Sequence, residues 1–282
     1  MERFNWQVIV GRWLFQHRSH MPLLFAALFI PALRNFEFLQ DSHLSQLYWE
    51  LFCLGVSLFG LAVRVMTVAF ISEASSGREL STPKAEHLNT TGIYSLVRHP
   101  LYLGNTIIWL GVASMMHIWW LSLSIMLISL LYHRLIVCSE EAYLGNRFGL
   151  EYHVWAKKTR AFIPSFQHWT RPKFPFSKAM VLRREYSGLF QVIAVFCVMN
   201  AVLNYVAFDV WAIDLIFQYL LISISLFCGS IWFTIKRTSW LPAPDRSLHT
   251  NIYPMSDASN ETAEVNHDSA HITISSTAAE KR

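Results

Sequence analysis

Six apolar runs, each long enough to cross a bilayer, occupy almost half of this 282-residue chain. A helix needs about 20 apolar residues to cross the hydrocarbon layer of a membrane. Hydrophobic residues make up 53% of the chain and charged residues only 15%, well below the roughly one quarter that is usual in soluble domains. The pattern therefore predicts an all-α fold, a polytopic membrane helical bundle of about six transmembrane helices. The predicted helices are Met21–Leu39, Gln46–Phe70, Leu101–Leu121, Ile118–Cys138, Ser187–Phe208 and Val210–Ile235.

Lysine and arginine residues fall almost entirely on one side of the predicted bundle. Of the 23 basic residues, 20 lie in the N-terminal segment, in the two inner loops or after the last helix. Arg34 lies on the other side, whereas Arg64 and Arg134 lie near the predicted inner ends of their helices, where they can reach the interface. The positive-inside rule thus predicts that both termini and both inner loops are cytosolic. The net charge of +4 is modest and implies no nucleic acid, and the apolar runs make a lipid bilayer the expected partner.

The composition changes at Pro242. From there to Arg282 the chain is rich in Ser, Thr, Asn and His and has no apolar periodicity, so we expect a disordered cytosolic tail after a membrane domain of residues 1–241. The four cysteines lie in or beside apolar runs and form no CxxC pair. Neither a disulfide framework nor a metal site is predicted.

Residues that could carry chemistry are concentrated in the two inner loops. The first loop reads LNTTGIYSLVRHPLYLGN, from Leu88 to Asn105, and contains the start of the third predicted helix. Pro100 fits the first turn of that helix, because the N–H that proline lacks would have no intrahelical acceptor there. The second loop reads SEEAYLGNRFGLEYHVWAKKTRAFIP, from Ser139 to Pro164, and begins where the fourth predicted helix leaves the membrane.

The hairpin of the third and fourth helices brings the two loops to the same face. Arg98 and His99 then lie at the cytosolic mouth of the third helix, and Glu140 and Glu141 lie at the mouth of the fourth. An arginine, a histidine and two carboxylates beside a bilayer suit a small zwitterionic or cationic ligand that meets a lipid-borne one. A simpler interpretation stays open, in which Arg98 pairs with Glu140 or Glu141 only to lock the hairpin.

The ordered motifs GIYSLVRHPLYLGN, EExxL, FGxEY and RAFIP resemble those of the isoprenylcysteine carboxyl methyltransferase family and of its relatives, the membrane phospholipid N-methyltransferases. The resemblance covers roughly Leu88 to Pro164 and places no motif on the first two or the last two helices. It implies S-adenosylmethionine as the cofactor, bound at the cytosolic helix ends without a Rossmann domain. No G-x-G-x-x-G motif follows a predicted strand, which agrees with that implication.

The resemblance also implies roles for single residues at matching positions. It implies that Arg98, Glu141 and Arg160 are catalytic, and that the acidic pair contacts the amino group or ribose hydroxyls of the cofactor and favours its sulfonium charge. Gly104 is expected to allow close approach of the ligand, and Tyr152 and Arg160 lie in the segment expected to help close the site. The implied cofactor-binding residues are Tyr94, His99, Pro100, Tyr102, Leu103, Gly104, Glu140 and Tyr152.

The sequence leaves the methyl acceptor open. A carboxylate acceptor is ionised at neutral pH and needs an arginine to orient it, whereas an amine must lose a proton and needs a base such as His99 or a glutamate. The expected acceptor is therefore a membrane lipid or an isoprenylcysteine-type carboxylate at the cytosolic face.

Two other classes of protein also stay open. A membrane sterol reductase that uses NADPH carries a similar segment before a hairpin, although such enzymes usually lack the acidic pair. A non-catalytic scaffold or transporter would use Glu50, Arg64, Asp214 and His133 as polar positions in the membrane. All four lie near predicted helix ends, which favours a structural role for them.

Overall fold

The computed structural model describes residues 6–37, 42–71 and 87–237. Within these ranges the chain is all-helical and contains no strand, as predicted. The described residues lie in one compact unit, Met1–Pro244, and the predicted tail from Pro242 lies outside them. The eight α-helices of the described ranges are α1 Trp6–Gln16, α2 Met21–Leu33, α3 His43–Ala69, α4 Ile93–Leu96, α5 Pro100–Ser114, α6 Trp119–Lys158, α7 Lys178–Phe208 and α8 Leu215–Arg237.

Four of these helices are long and apolar enough to cross a membrane, so the chain is an integral membrane protein. They are His43–Ala69, Trp119–Lys158, Lys178–Phe208 and Leu215–Thr234. The other two predicted crossings correspond to α2 and α5, which are shorter, with 13 and 15 residues. A count of six crossings is compatible with this arrangement.

Helix α1 lies in the N-terminal segment, which the distribution of basic residues predicts to be cytosolic. It runs antiparallel to α6, because the Tyr132 hydroxyl donates to the Leu14 carbonyl at 3.1 Å and a Cβ at Gly11 would collide with the Leu135 carbonyl oxygen. A 3-10 turn, Arg18–His20, then leads directly into α2. Together α1 and α2 form one path along the bundle that is interrupted at this turn.

Helices α3 and α5 approach each other closely through glycines. A Cβ at Gly104 would lie 2.8 Å from the Gly60 carbonyl oxygen and 2.7 Å from Arg64 Cγ. Gly111 faces α3 in the same way, beside Cys53 and Ser57. Gly104 therefore permits a close approach between helices, and its expected approach to a ligand stays a prediction.

Helix α6 extends 20 residues past the predicted end of the fourth crossing at Cys138 and is interrupted at Gly149, which has φ 52° and ψ −123°. Only glycine adopts such a conformation at low cost. The chain folds back there, so that a Cβ at Gly145 would lie 3.6–3.7 Å from the Tyr152 and His153 rings. This turn returns the second inner loop towards the mouth of the hairpin.

A buried polar network lies at the opposite end of the bundle, where α3 and α8 begin. The Glu50 carboxylate accepts hydrogen bonds from Gln46 and Asn200 at 2.9 and 2.8 Å. Asn200 also donates to Asp214 at 2.9 Å, and His43 lies 3.0 Å from the other Asp214 oxygen. Because these groups satisfy one another, Glu50 and Asp214 act here as structural ties between α3, α7 and the start of α8.

Candidate functional site

The predicted cluster forms at the point where α5 begins and the apolar part of α6 ends. His99 precedes Pro100, the first residue of α5, and its ring lies between the two carboxylates of the acidic pair. Nδ1 of His99 lies 3.6 Å from Glu140 Oε2, and Nε2 lies 3.3 Å from Glu141 Oε1. The side chain of His99 is only 6% exposed. The hairpin thus brings together the groups that its spacing predicted.

Arg98 completes the cluster from the other side of Glu141. Its Nη1 lies 3.0 Å from Glu141 Oε1, the same oxygen that His99 contacts. The phenol of Tyr152 also interacts with Arg98 and lies near the charge of Glu141. Tyr152 reaches this position because the chain folds back at Gly149. Arginine, histidine and tyrosine therefore converge on a single carboxylate.

Two buried polar atoms of the cluster have no hydrogen-bond partner. They are Nε of Arg98, a donor, and Oε2 of Glu140, an acceptor. Buried polar groups are nearly always satisfied in folded proteins, and those left open cost about 1–3 kcal/mol each. An open donor and an open acceptor in one cluster match a zwitterionic ligand, with a carboxylate for Arg98 and a cationic or hydroxyl group for Glu140.

The electrostatics keep Glu141 ionised. Burial by itself would raise the pKa of Glu141, but its hydrogen bond with His99 and the charges of Arg98 and His99 outweigh burial and lower it. Burial and the nearby Glu141 charge raise the pKa of Tyr152 to about 12. Tyr152 therefore remains a phenol at neutral pH and is available as a hydrogen-bond donor.

The segment after α6 closes one side of the cluster through its backbone. The Arg98 N–H donates to the Arg160 carbonyl at 2.9 Å, and the His99 N–H donates to the Ala161 carbonyl at 3.2 Å. The ring of Phe162 lies 6.2 Å from the His99 ring. Arg160 itself is exposed, so the structure brings its main chain, but not its guanidinium, into the cluster.

The remaining predicted residues surround this core. Pro100 is buried at the start of α5, and the Leu103 N–H makes the first helical hydrogen bond, to His99 at 3.2 Å. The Tyr94 carbonyl accepts from Trp155 Nε1 at 3.2 Å, and burial together with the Glu140 charge raises the Tyr94 pKa. Gly104 faces α3 and lies away from the acidic pair.

The structure adds His133 and Thr106, which motif comparison did not assign to the site, to a layer below the acidic pair that contains the expected residue Tyr102. The Tyr102 phenol interacts with Glu140, and its ring stacks on His133 with centroids 4.9 Å apart. The Thr106 hydroxyl lies 3.2 Å from His133 Nδ1. Helical periodicity could have found His133, because it lies seven residues before Glu140 and thus on the same face of α6.

Comparisons with known proteins agree with this location. Residues 51–151 match the model of a family described as phospholipid methyltransferase. The chain is also 28% identical over 116 residues to the nickel-cobalt-cadmium resistance protein NccN of Alcaligenes xylosoxydans xylosoxydans. That match covers 41% of this chain and 54% of the relative, so the chain spans about half the length of the curated relative it matches.

No solved structure matches the chain. The family match includes α5 and most of α6, and hence Arg98, His99, Glu140 and Glu141. No group of three or more His, Cys, Asp or Glu residues that could hold a metal ion occurs in the described part of the chain. The resemblance read from the motifs is confirmed: over residues 51–151 this chain matches the phospholipid methyltransferase family of integral membrane methyltransferases.

Proposed function

We propose that this protein is an S-adenosylmethionine-dependent methyltransferase that acts on a membrane-associated acceptor at the cytosolic face. The observation that carries the proposal is a pair of buried atoms without a hydrogen-bond partner, Arg98 Nε and Glu140 Oε2. Both lie within the segment that matches the family. A ligand that carries both a carboxylate and cationic groups would satisfy both atoms at once. S-adenosylmethionine is such a ligand.

The residues present fit the cofactor by their chemistry. Arg98 would hold its carboxylate, and Glu140 would hold its amino group or a ribose hydroxyl, while Glu141 keeps Arg98 and His99 in place. When bound, the cofactor supplies a methyl group on a positively charged sulfur. The negative charge of Glu140 and Glu141 favours that sulfonium, and the aromatic rings of Tyr102 and Tyr152 limit the access of water. Alignment of the reacting groups then supplies most of the rate enhancement.

The acceptor reaches the site from the bilayer in this proposal. The outer surfaces of the helices expose large apolar side chains, such as Leu131 at 63% and Leu127 at 54%, as expected for contact with lipid. A lipid or an isoprenylcysteine-type carboxylate could therefore approach the helix mouths without leaving the membrane.

The cytosolic orientation is part of the proposal and follows from the distribution of basic residues. An accessibility reporter placed between Thr170 and Phe174 should read the cytosol, and one at His117 should read the opposite side. The reverse result would remove the site from the compartment that holds the cofactor.

Ligand binding by the detergent-solubilised full-length protein tests the activity class. We expect S-adenosylmethionine and S-adenosylhomocysteine both to bind, the first more tightly because of its sulfonium charge, and NADPH not to bind. Arg98→Gln should weaken both methionine-derived ligands, whereas Glu151→Gln, a change at an exposed carboxylate on the same loop, should leave both unchanged. Binding of NADPH alone by the folded protein would support a reductase and overturn the proposal.

A further inference from the structure

The interruption between α1 and α2 places a basic side chain inside the bundle. The apolar part of α6 ends at Cys138, and Tyr132, which holds the Leu14 carbonyl, lies six residues earlier, about 9 Å along the helix axis. Arg18 follows Leu14 by four residues in the direction away from the cytosolic end. Arg18 therefore lies within the apolar layer rather than at its surface.

Among the described residues, no anionic side chain contacts Arg18. Its guanidinium carbon lies 4.2 Å from the centre of the Phe15 ring, and no carboxylate forms an ion pair with it in the described ranges. An arginine in the apolar layer is costly unless it is paired, so an ionisable residue at such a depth indicates a function. Arginine binds phosphate and carboxylate groups with two parallel hydrogen bonds, which makes an anion the matching ligand.

The position of Arg18 connects it to the acidic pair. The Tyr132 hydroxyl donates to the carbonyl of Leu14, which lies four residues before Arg18. The rings of Tyr102 and Tyr132 contact His133, with centroids 4.9 and 5.7 Å away, and the Tyr102 phenol interacts with Glu140. One aromatic layer thus separates Arg18 from the carboxylate that we place against the cofactor.

The approach to Arg18 from the lipid side is apolar. Trp6, Ile9 and Trp13 of α1 are 59%, 51% and 57% exposed, and the Trp13 ring stacks on His17 just before the turn. This surface suits acyl or prenyl chains, and the turn at its end offers a positive charge. Such an order of groups fits a molecule with an apolar chain and an anionic head.

We propose that Arg18 binds the anionic group, a phosphate or a carboxylate, of the membrane-borne methyl acceptor and so positions the acceptor beside the acidic pair. This inference rests on the proposed function and names the chemical class of its acceptor. Arg18 is a positioning residue when it holds a phosphate, because a different group of that acceptor then receives the methyl. A carboxylate bound to Arg18 would itself be the group that is methylated.

Lipid binding to the full-length protein tests the proposal without relying on methyl transfer. The probes are dioleoyl phosphatidic acid, oleate and dioleoylglycerol, which offer a phosphate, a carboxylate and no anion, and binding is measured by native mass spectrometry in detergent. The wild type should retain at least one anionic probe about tenfold more tightly than dioleoylglycerol. The anionic probe that binds more tightly identifies the source of the charge.

Three variants separate Arg18 from a general charge effect. Arg18→Gln should abolish the preference for the anionic probe, and Arg18→Lys should retain part of it. Arg12→Gln, which changes an exposed arginine on α1, should keep the wild-type preference. S-adenosylhomocysteine affinity should stay the same in all variants, which reports on folding and on the cofactor site separately. A wild-type preference that survives Arg18→Gln, or a wild type without any preference, would overturn the inference.

Discussion

A single oxygen of Glu141 receives both Arg98 and His99, at 3.0 and 3.3 Å, while the neighbouring Glu140 keeps a buried oxygen without a hydrogen-bond partner. The two members of the acidic pair therefore differ in what they do. Glu141 ties the start of α5 to α6, as the simpler interpretation of an ion pair requires. Glu140 has an oxygen that can still accept a hydrogen bond, as the cofactor-binding interpretation requires. The two interpretations describe different residues and do not exclude each other.

Glu140→Gln should weaken S-adenosylmethionine binding while leaving the folded protein nearly as stable. A charge-assisted hydrogen bond is worth about 1.5–3 kcal/mol, and Glu140 is partly exposed, so we expect a loss of about tenfold. S-adenosylhomocysteine, which lacks the sulfonium charge, should lose less. Isothermal titration of both ligands, with a melting curve for each variant, measures this. Glu151→Gln is the matched control. An unchanged affinity with a lowered melting point would mean that Glu140 only helps to lock the hairpin.

Glu141→Gln should act mainly on stability, with a pH dependence of known sign. The contacts with His99 and Arg98 lower the pKa of Glu141 in the folded state, so its stabilisation is present above the ordinary value of 4.5 and is lost as the pH falls through the lowered value. We expect a loss of about 1–3 kcal/mol at neutral pH. Melting curves of both proteins should converge at acid pH, and a constant difference between them would contradict this origin.

The sequence predicted the helical class and the meeting of the acidic pair with His99, because both follow from apolar periodicity and hairpin topology. It did not predict α1, since that helix is stabilised by Gly11 packing on the α6 backbone rather than by a long apolar run. It also did not predict that Gly104 packs on α3. The α3 backbone that Gly104 contacts lies more than 40 residues earlier in the chain, and no local pattern reveals such a contact.

The sequence motifs also did not reveal that α6 folds back at Gly149. FGxEY was recognisable as a motif, but the positive φ of Gly149, which turns Tyr152 towards Arg98, is visible only in the backbone. For the same reason the exposed side chain of Arg160 could not be foreseen. The contact that the structure shows at this position is made by the Arg160 carbonyl, which accepts from the Arg98 N–H, and the catalytic role expected for the Arg160 side chain stays a prediction.

Gly149→Ala should therefore disrupt the site, whereas Gly145→Ala should not. An alanine in the Gly149 conformation costs about 1–3 kcal/mol, and relief of that strain would straighten α6 and withdraw Tyr152. A Cβ at Gly145 would meet its neighbours at ordinary distances, and alanine favours the helix by about 1 kcal/mol. S-adenosylhomocysteine affinity and melting temperature of both variants check this. Equal binding by both would show that the fold-back does not shape the pocket.

The Arg64–Glu185 pair should hold α3, α5 and α7 together below the site. Two hydrogen bonds of 3.0 and 2.8 Å join the side chains, and Arg64 Nη1 also donates to Asn105 at 2.6 Å. Glu185 is 4% exposed and Arg64 is 23% exposed, so removal of one partner strands a charge away from water. We expect Glu185→Leu or Arg64→Leu to cost about 3 kcal/mol.

The double variant should cost much less than the two single changes together, because it leaves no unpaired charge. A double-mutant cycle on the melting free energies measures this coupling. The affinity for S-adenosylhomocysteine, measured below the melting temperature, reports how loss of the pair affects the site. Because Arg64 Cγ packs where Gly104 has no side chain, loss of the arginine should loosen α5 against α3 and weaken the ligand by a few-fold. Additive single costs would show that the two residues act independently and that the pair is not the tie between these helices.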